Sequence, residues 1–130
     1  MRSTVLALCS LLLGTVTLPS NADGDVRWQT VAYSDEDEWS SERDSMTALT
    51  SEKGATVIAI NGQMRSKKTG HVDLVRWTVT LDDCRGDSGK LVTSDMSGKY
   101  VVPFDYVRGG STFESITAQN ICNLYFNANK

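Results

Sequence analysis

The one segment that looks like a catalytic motif is Gly86-Asp87-Ser88-Gly89, shortly after Cys84. A serine nucleophile needs a histidine as general base, a carboxylate that orients the histidine, and an oxyanion hole. His71 is the only histidine in the chain, so Ser88 has one candidate base. Together, Ser88 and His71 would point to serine hydrolysis.

The segment around Ser88 is similar to the nucleophile loop of trypsin-like serine proteases, but it departs from the pattern of that family. His71 lacks the Ala-Ala-His-Cys context, and Lys90 follows Gly89 where those proteases continue with Gly-Pro. A chain of this length also cannot form the two six-stranded barrels between which the triad is assembled. We therefore predict no catalytic residue and keep a small serine hydrolase using Ser88 and His71 as a second alternative.

The same segment contains the integrin-type tripeptide Arg85-Gly86-Asp87. It is expected in a turn beside Cys84, where a disulfide would stiffen it for recognition. Arg and Asp beside Gly are also ordinary turn residues. Arg85 and Asp87 are therefore candidate binding residues, and whether the turn is functional stays open.

Two charged segments are further candidate contacts. A basic run contains Arg65, Lys67 and Lys68, and it would either contact an anionic partner or form a solvated hairpin tip. An acidic run spans Asp35–Glu38, where carboxylates suit calcium or a basic partner. This run lacks the Gly and the spaced terminal Glu of an EF-hand loop, so a solvated connection is the alternative.

Composition argues against several classes of function. One histidine and a pair of cysteines expected to be oxidised leave no metal site, and Gly109-Gly110 lacks the Lys and spacing of a phosphate-binding loop. Without the first 22 residues, 12 basic and 16 acidic residues remain. An acidic chain does not suit non-specific nucleic-acid binding. We predict no metal, no cofactor and no nucleic-acid partner.

Residues 1–22 are predicted to be a secretory signal peptide. Arg2 is basic, Val5 to Val16 is apolar, and the small residues Ser20 and Ala22 precede the expected cleavage point. The apolar run is too short to span a bilayer, and Cys9 comes too early for a lipoprotein signal. Residues 23–130 then form one exported domain, periplasmic or secreted, without stable membrane insertion.

The remaining cysteines predict a disulfide. Cys9 leaves with the signal, so Cys84 and Cys122 form an even pair in an exported chain. In the chain-entropy model, closing this loop stabilises the fold by about 4 kcal/mol.

Hydrophobic periodicity predicts about six short strands followed by one helix. Val75, Trp77, Val79 and Leu81 alternate with polar residues and should face the core. Asn61-Gly62 is a turn signal, and Pro103 indicates that the last strand either lies at an edge or ends there. The predicted strands cover 26–33, 45–50, 55–60, 75–82, 90–93 and 99–104, with a turn at 83–89.

Ser111, three residues before Glu114, predicts a capping box that starts the helix. An apolar stripe then runs to Tyr125, and 127–130 is expected to be a frayed tail. The predicted fold class is α+β: a single antiparallel sheet with the C-terminal helix packed on one face and tied by the disulfide.

The mature chain resembles the bacterial surface-adhesin protein E family. The resemblance rests on Trp28 in the first strand, Asp44-Ser45-Met46, Asp83-Cys84, and the helix segment 116–122 ending in Ile121-Cys122. It implies the same fold, with only the two cysteines carried over. The best-known member is an outer-membrane lipoprotein that binds matrix and serum proteins such as vitronectin and laminin.

These observations favour a non-enzymatic exported protein that acts as a protein-binding, adhesin-like module. Its partner would be a host matrix or serum protein. The first alternative is a periplasmic inhibitor or immunity-type protein that blocks a bacterial hydrolase through the acidic run Asp35–Glu38. The sequence leaves the oligomeric state undetermined.

Overall fold

The structure is a computed structural model that describes residues 27–130, so the predicted signal peptide 1–22 lies outside the described residues. Within that range the chain forms six strands and two helices. The strands are β1 (Trp28–Tyr33), β2 (Asp37–Thr50), β3 (Thr56–Ser66), β4 (Val72–Thr80), β5 (Ser88–Asp95) and β6 (Val101–Val107). The helices are α1 (Leu81–Arg85), between β4 and β5, and α2 (Phe113–Ala128).

The six strands form one antiparallel sheet in the order β1-β2-β3-β4-β5-β6. Each strand pairs with its neighbour in sequence, so short connections suffice throughout. Helix α2 packs on one face of this sheet. The predicted fold class is confirmed, including the edge position of the strand that carries Pro103.

The core lies between the sheet and α2. Because side chains of a strand alternate between faces, every second residue of β4 points toward the helix. Val75, Trp77 and Val79 are buried there, as the alternation predicts. They join a cluster contributed by β3, β5, β6 and α2, whose largest members include Ile58, Ile60, Leu91 and Ile121.

The disulfide between Cys84 and Cys122 is present and ties α1 to α2. Its Cα atoms lie 5.5 Å apart, within the ordinary range for a cystine. Both cysteines are buried. The bond therefore fixes α2 to the end of β4, as the cysteine count predicts.

The prediction of a turn at Asn61-Gly62 is wrong. Both residues lie inside β3, where Gly62 pairs with Ser41 of β2 and Val75 of β4. Glycine is present because the ring of Trp77 lies over it: a Cβ at Gly62 would sit 2.7 Å from Cη2 of Trp77. Gly62 therefore allows the Trp77 ring to approach the backbone of β3 closely, and it does not mark a turn of the chain.

The prediction of a short strand at 45–50 is also wrong, and the predicted connection at 35–38 includes only Asp35 and Glu36. A single strand of 14 residues, β2, contains both the end of the acidic run and Ser45. Its pairing with β3 shifts between Glu42 and Thr47. Ser45 bridges this irregularity, since its Oγ donates to the Glu42 carbonyl at 2.6 Å and accepts from Asn61 N at 2.8 Å. The hydrophobic pattern of the sequence does not reveal this bulge, because the bulge is held by hydrogen bonds of Ser45.

The predicted turn at 83–89 begins as helix α1, which Thr80 caps by accepting a hydrogen bond from Asp83 N at 3.1 Å. Helix α2 starts one residue later than the capping box predicts. Its N-cap is Thr112, whose Oγ1 accepts from Ser115 N at 3.1 Å. The helix continues to Ala128, so half of the four-residue tail predicted to fray is helical.

Candidate functional site

The predicted binding residues lie at two opposite ends of the sheet. Arg65 precedes the turn between β3 and β4, and Lys67 and Lys68 lie in it. Arg85 and Asp87 follow the far end of β4. That strand has nine residues, which at about 3.3 Å each separate the two groups by about 30 Å. They therefore belong to two surfaces.

The same separation applies to His71 and Ser88. His71 precedes β4, and its Nε2 lies 3.0 Å from Oδ1 of Asp73 in an exposed pair. Ser88 is the exposed first residue of β5, beyond the other end of β4. A general base must lie within hydrogen-bond reach of its nucleophile. These two residues do not form a catalytic dyad.

The basic and acidic runs contact each other. Arg65 forms an ion pair with Glu38, which also accepts a hydrogen bond from Thr30 Oγ1 at 2.7 Å. The Thr30 hydrogen bond, and then Arg65, lower the pKa of Glu38 below its ordinary value. The ammonium of Lys67 lies 5.3 Å from the centre of the Tyr33 ring. Two of the three basic side chains predicted to contact a partner, Arg65 and Lys67, therefore already interact with other residues of the protein.

The Arg85-Gly86-Asp87 turn is held by backbone contacts and leaves its side chains free. Gly86 N donates to the Asp83 carbonyl at 3.1 Å, and Arg108 N donates to the Asp87 carbonyl at 2.8 Å. Both Arg85 and Asp87 are exposed. Neither side chain has a hydrogen bond or an ion pair with any residue that the structure describes.

A cavity of about 330 Å³ lies beside this turn, between α1, the end of β6 and α2. Arg108 reaches across it to the Cys84 carbonyl at 3.0 Å. The buried hydroxyl of Tyr106, also in its lining, has no hydrogen-bond partner within the protein. Burial, and then the charge of Asp83, raise the pKa of Tyr106. The cavity offers hydrogen bonds, and the two cysteines in its lining present no free thiol because they form the disulfide.

No three His, Cys, Asp or Glu side chains between residues 27 and 130 are grouped so that they could hold an ion. In the same range, no helix is long and apolar enough to cross a membrane.

An exposed apolar surface, which the sequence analysis missed, lies on the hairpin of β5 and β6. We call this surface the hairpin strip, and it consists of Met96, Tyr100, Val101, Val102 and Phe104. Tyr100 is 76% exposed and Val101 is 55% exposed. The adjacent apolar letters Tyr-Val-Val before Pro103 were the available signal.

The strip is exposed because the packed core ends before it. Val102, Phe104 and Tyr106 alternate along β6 and point to the same face of the sheet as α2. Tyr106 is buried in the core, while Val102 is still 47% exposed. The apolar residues at the start of β6 therefore remain in contact with water.

The outer edge of β6 is poorly suited to pairing with another strand. Asp95 N donates to Tyr100 O, and Arg108 N donates to Asp87 O. Hydrogen bonds alternate in an antiparallel ladder, so positions 101, 103, 105 and 107 face outward. Pro103 has no N–H, and Val107 N donates to Ser115 Oγ at 3.1 Å. Only Val101 and Asp105 present a free N–H along this edge.

No protein-family model, no curated protein and no solved structure matches this chain.

Proposed function

We propose that this protein is an exported, non-enzymatic binding module that docks a protein partner through the hairpin strip. The observation that carries the proposal is the exposure of five apolar side chains on one hairpin, with Val102 and Phe104 on the face that α2 covers and Val101 on the other face. Exposed apolar residues grouped on one element can mark an interaction site. Aromatic residues, such as Tyr100 here, are enriched among those that dominate binding energy.

The partner that fits is a folded protein with a complementary apolar patch. Strand addition is disfavoured, because Pro103 interrupts the outer edge of β6 and Ser115 occupies the N–H of Val107. Binding then depends on side-chain packing. The resemblance to the surface-adhesin protein E family supports host matrix or serum proteins as the partner class.

Two observations support binding rather than catalysis, and a third supports export. His71 and Ser88 lie at opposite ends of β4. The two cysteines that line the cavity form the disulfide and present no free thiol. A structural disulfide is typical of proteins outside the reducing cytosol.

The structure gives less support to a hydrolase inhibitor that acts through Asp35–Glu38. Glu38 is already bound by Thr30 and Arg65, and the Glu36 carbonyl accepts from Lys67 N at 2.8 Å. An acidic contact whose charges are partly neutralised within the protein offers less to a basic partner.

A matched pair of tyrosine variants tests the proposal. Tyr100 is 76% exposed on the hairpin strip, and Tyr33 is 72% exposed at the opposite edge of the sheet. Binding of Tyr100→Ser and Tyr33→Ser to immobilised vitronectin and laminin would be measured by surface plasmon resonance. Loss of a central aromatic contact typically costs 2 kcal/mol or more, so Tyr100→Ser should weaken binding by at least about tenfold. Tyr33→Ser should bind like the unchanged protein.

Equal binding by the two variants would overturn the assignment to the hairpin strip. Absence of binding to matrix and serum proteins, combined with tight inhibition of a bacterial hydrolase, would replace the proposal with the inhibitor alternative.

A further inference from the structure

We propose that the turn Arg85-Gly86-Asp87 is a ligand for an integrin-type receptor. Such a receptor takes an aspartate carboxylate on its own divalent cation and a guanidinium in an acidic pocket. The tripeptide follows the C-terminal end of β4, whereas the turn that joins β3 to β4 lies at the N-terminal end of β4. The hairpin strip begins near that other end, because β5 runs back toward it. This inference therefore goes beyond the function proposed above and stands without it.

The first argument is that both charged side chains are available. Arg85 and Asp87 are exposed and have no side-chain partner among residues 27–130. Arg65, another predicted contact, is held by Glu38, and Lys67 lies against Tyr33. A side chain with an internal partner must break that contact before it binds. Arg85 and Asp87 carry no such cost.

The second argument is that the backbone of the turn is fixed from both sides. Its N-terminal neighbour, Cys84, is bonded to Cys122 of α2. Arg108 contacts the residue before the tripeptide and the last residue of it, with Nη2 donating to the Cys84 carbonyl at 3.0 Å and N donating to the Asp87 carbonyl at 2.8 Å. A ligand that is already ordered loses less conformational entropy on binding.

The third argument concerns Gly86, because the fold does not require glycine there. Its φ of −100° and ψ of −173° are extended values that any residue adopts. A Cβ would meet its nearest neighbours, the carbonyls of Asp83 and Ser88, at 3.8 Å, which is ordinary contact. A receptor that packs against the backbone between the two charged residues does require glycine, because a side chain at this position would keep the receptor away from the backbone. A substitution at Gly86 can therefore impair recognition by the receptor without disturbing the fold.

The experiment uses the mature, oxidised protein immobilised on a sensor surface. The probe is the purified ectodomain of the fibronectin-receptor integrin in Mn²⁺. Saturable binding is expected, abolished by EDTA and by an excess of the peptide Gly-Arg-Gly-Asp-Ser. Asp87→Glu keeps the charge but moves the carboxylate by one methylene, and should weaken binding at least tenfold. Gly86→Ala should do the same.

The controls separate recognition from folding. Ser88→Ala removes an exposed hydroxyl next to the tripeptide and should leave integrin binding unchanged. Every variant should show the circular dichroism spectrum and the urea midpoint of the unchanged protein, since none alters a buried contact. The Tyr100→Ser variant should also keep its integrin affinity, while Asp87→Glu should keep its affinity for matrix proteins.

Two results would overturn the inference. One is the absence of saturable binding by the folded, oxidised protein. The other is binding that Asp87→Glu and EDTA leave unchanged, which would show a contact that does not use the carboxylate. Neither result bears on the hairpin strip, which the tyrosine variants test separately.

Discussion

The indole of Trp77 on β4 lies over the Cα of Gly62 on β3. Because Gly62 has no side chain, the ring extends across β3 and stacks on Trp39 of β2, with 5.4 Å between ring centres. Phe113 at the start of α2 packs edge-on against Trp39 at 5.2 Å. One missing Cβ thus permits an aromatic contact that joins three elements of the fold.

Gly62→Ala should destabilise the protein. The new methyl group would overlap Trp77, and overpacking of a core typically costs about 1–3 kcal/mol. Gly86→Ala is the matched control, since its Cβ has room, and it should change the free energy of unfolding by less than about 1 kcal/mol. Urea unfolding at pH 7 measures both values. If the two variants are equally stable, the close approach of Trp77 does not constrain position 62.

Reduction of the disulfide should remove a large part of the stability. The bond joins residues separated by 38 positions, and the chain-entropy model gives about 4 kcal/mol for a loop of this length. We expect the double variant Cys84→Ala, Cys122→Ala to be less stable by about 2–4 kcal/mol in urea. Reductant should destabilise the unchanged protein but not this variant. A variant as stable as the oxidised protein would contradict this prediction.

Glu38 should make stability depend on pH in the acid range. Its pKa in the folded protein is lower than the ordinary value of 4.5, chiefly because of Thr30 and then Arg65. The ionised carboxylate therefore stabilises the fold above pH 4.5, and this contribution is lost as the pH falls through the lowered pKa.

The test compares Glu38→Gln with the unchanged protein across pH. At pH 7 the variant should be less stable by at most about 1 kcal/mol, because the pair is partly exposed. The difference should shrink as the pH falls below 4.5 in urea unfolding. Glu52→Gln, an exposed change in the turn between β2 and β3, controls for the loss of one negative charge. A difference that stays constant down to pH 2 would contradict the role given to the carboxylate.

Pro103→Val should promote self-association. The change restores an N–H at the outer edge of β6 between the free N–H groups of Val101 and Asp105, and long unprotected edges pair with other chains. Sedimentation velocity should show more dimer or larger species with rising concentration than in the unchanged protein.

A second variant controls for the loss of proline itself. Val101→Pro combined with Pro103→Val moves the gap in the edge by two positions without removing it. This double variant should behave like the unchanged protein. If Pro103→Val and the double variant associate equally, the missing N–H does not protect the edge.

Much of the fold follows from local patterns in the sequence. The alternation around Trp77 fixes a strand with one buried face, because the side-chain period of a strand is two. The cysteine count gives the pair Cys84 and Cys122 without any geometry. Pro103 marks an edge strand, because it cannot donate in a ladder. Each of these signals depends on a residue type or a short spacing.

The errors at Asn61-Gly62 and at Asp35–Glu38 have a different origin. Asn-Gly is a common turn signal, but here the indole of Trp77, far along the chain, needs the space at Gly62. The acidic run reads as a connection, but pairing with Arg65 and Ser66 draws Asp37 and Glu38 into β2. In both places a long-range contact outweighs the local preference.

The sequence by itself determined the α+β class, the disulfide and the candidate residues Arg65, Lys67, Lys68, Arg85 and Asp87. Tertiary structure decided how these residues are distributed. It places them at opposite ends of β4, pairs Arg65 with Glu38, and leaves Arg85 and Asp87 free. It also exposes the hairpin strip. The physical reason is that exposure and pairing depend on which strands become neighbours and on where α2 packs across the sheet.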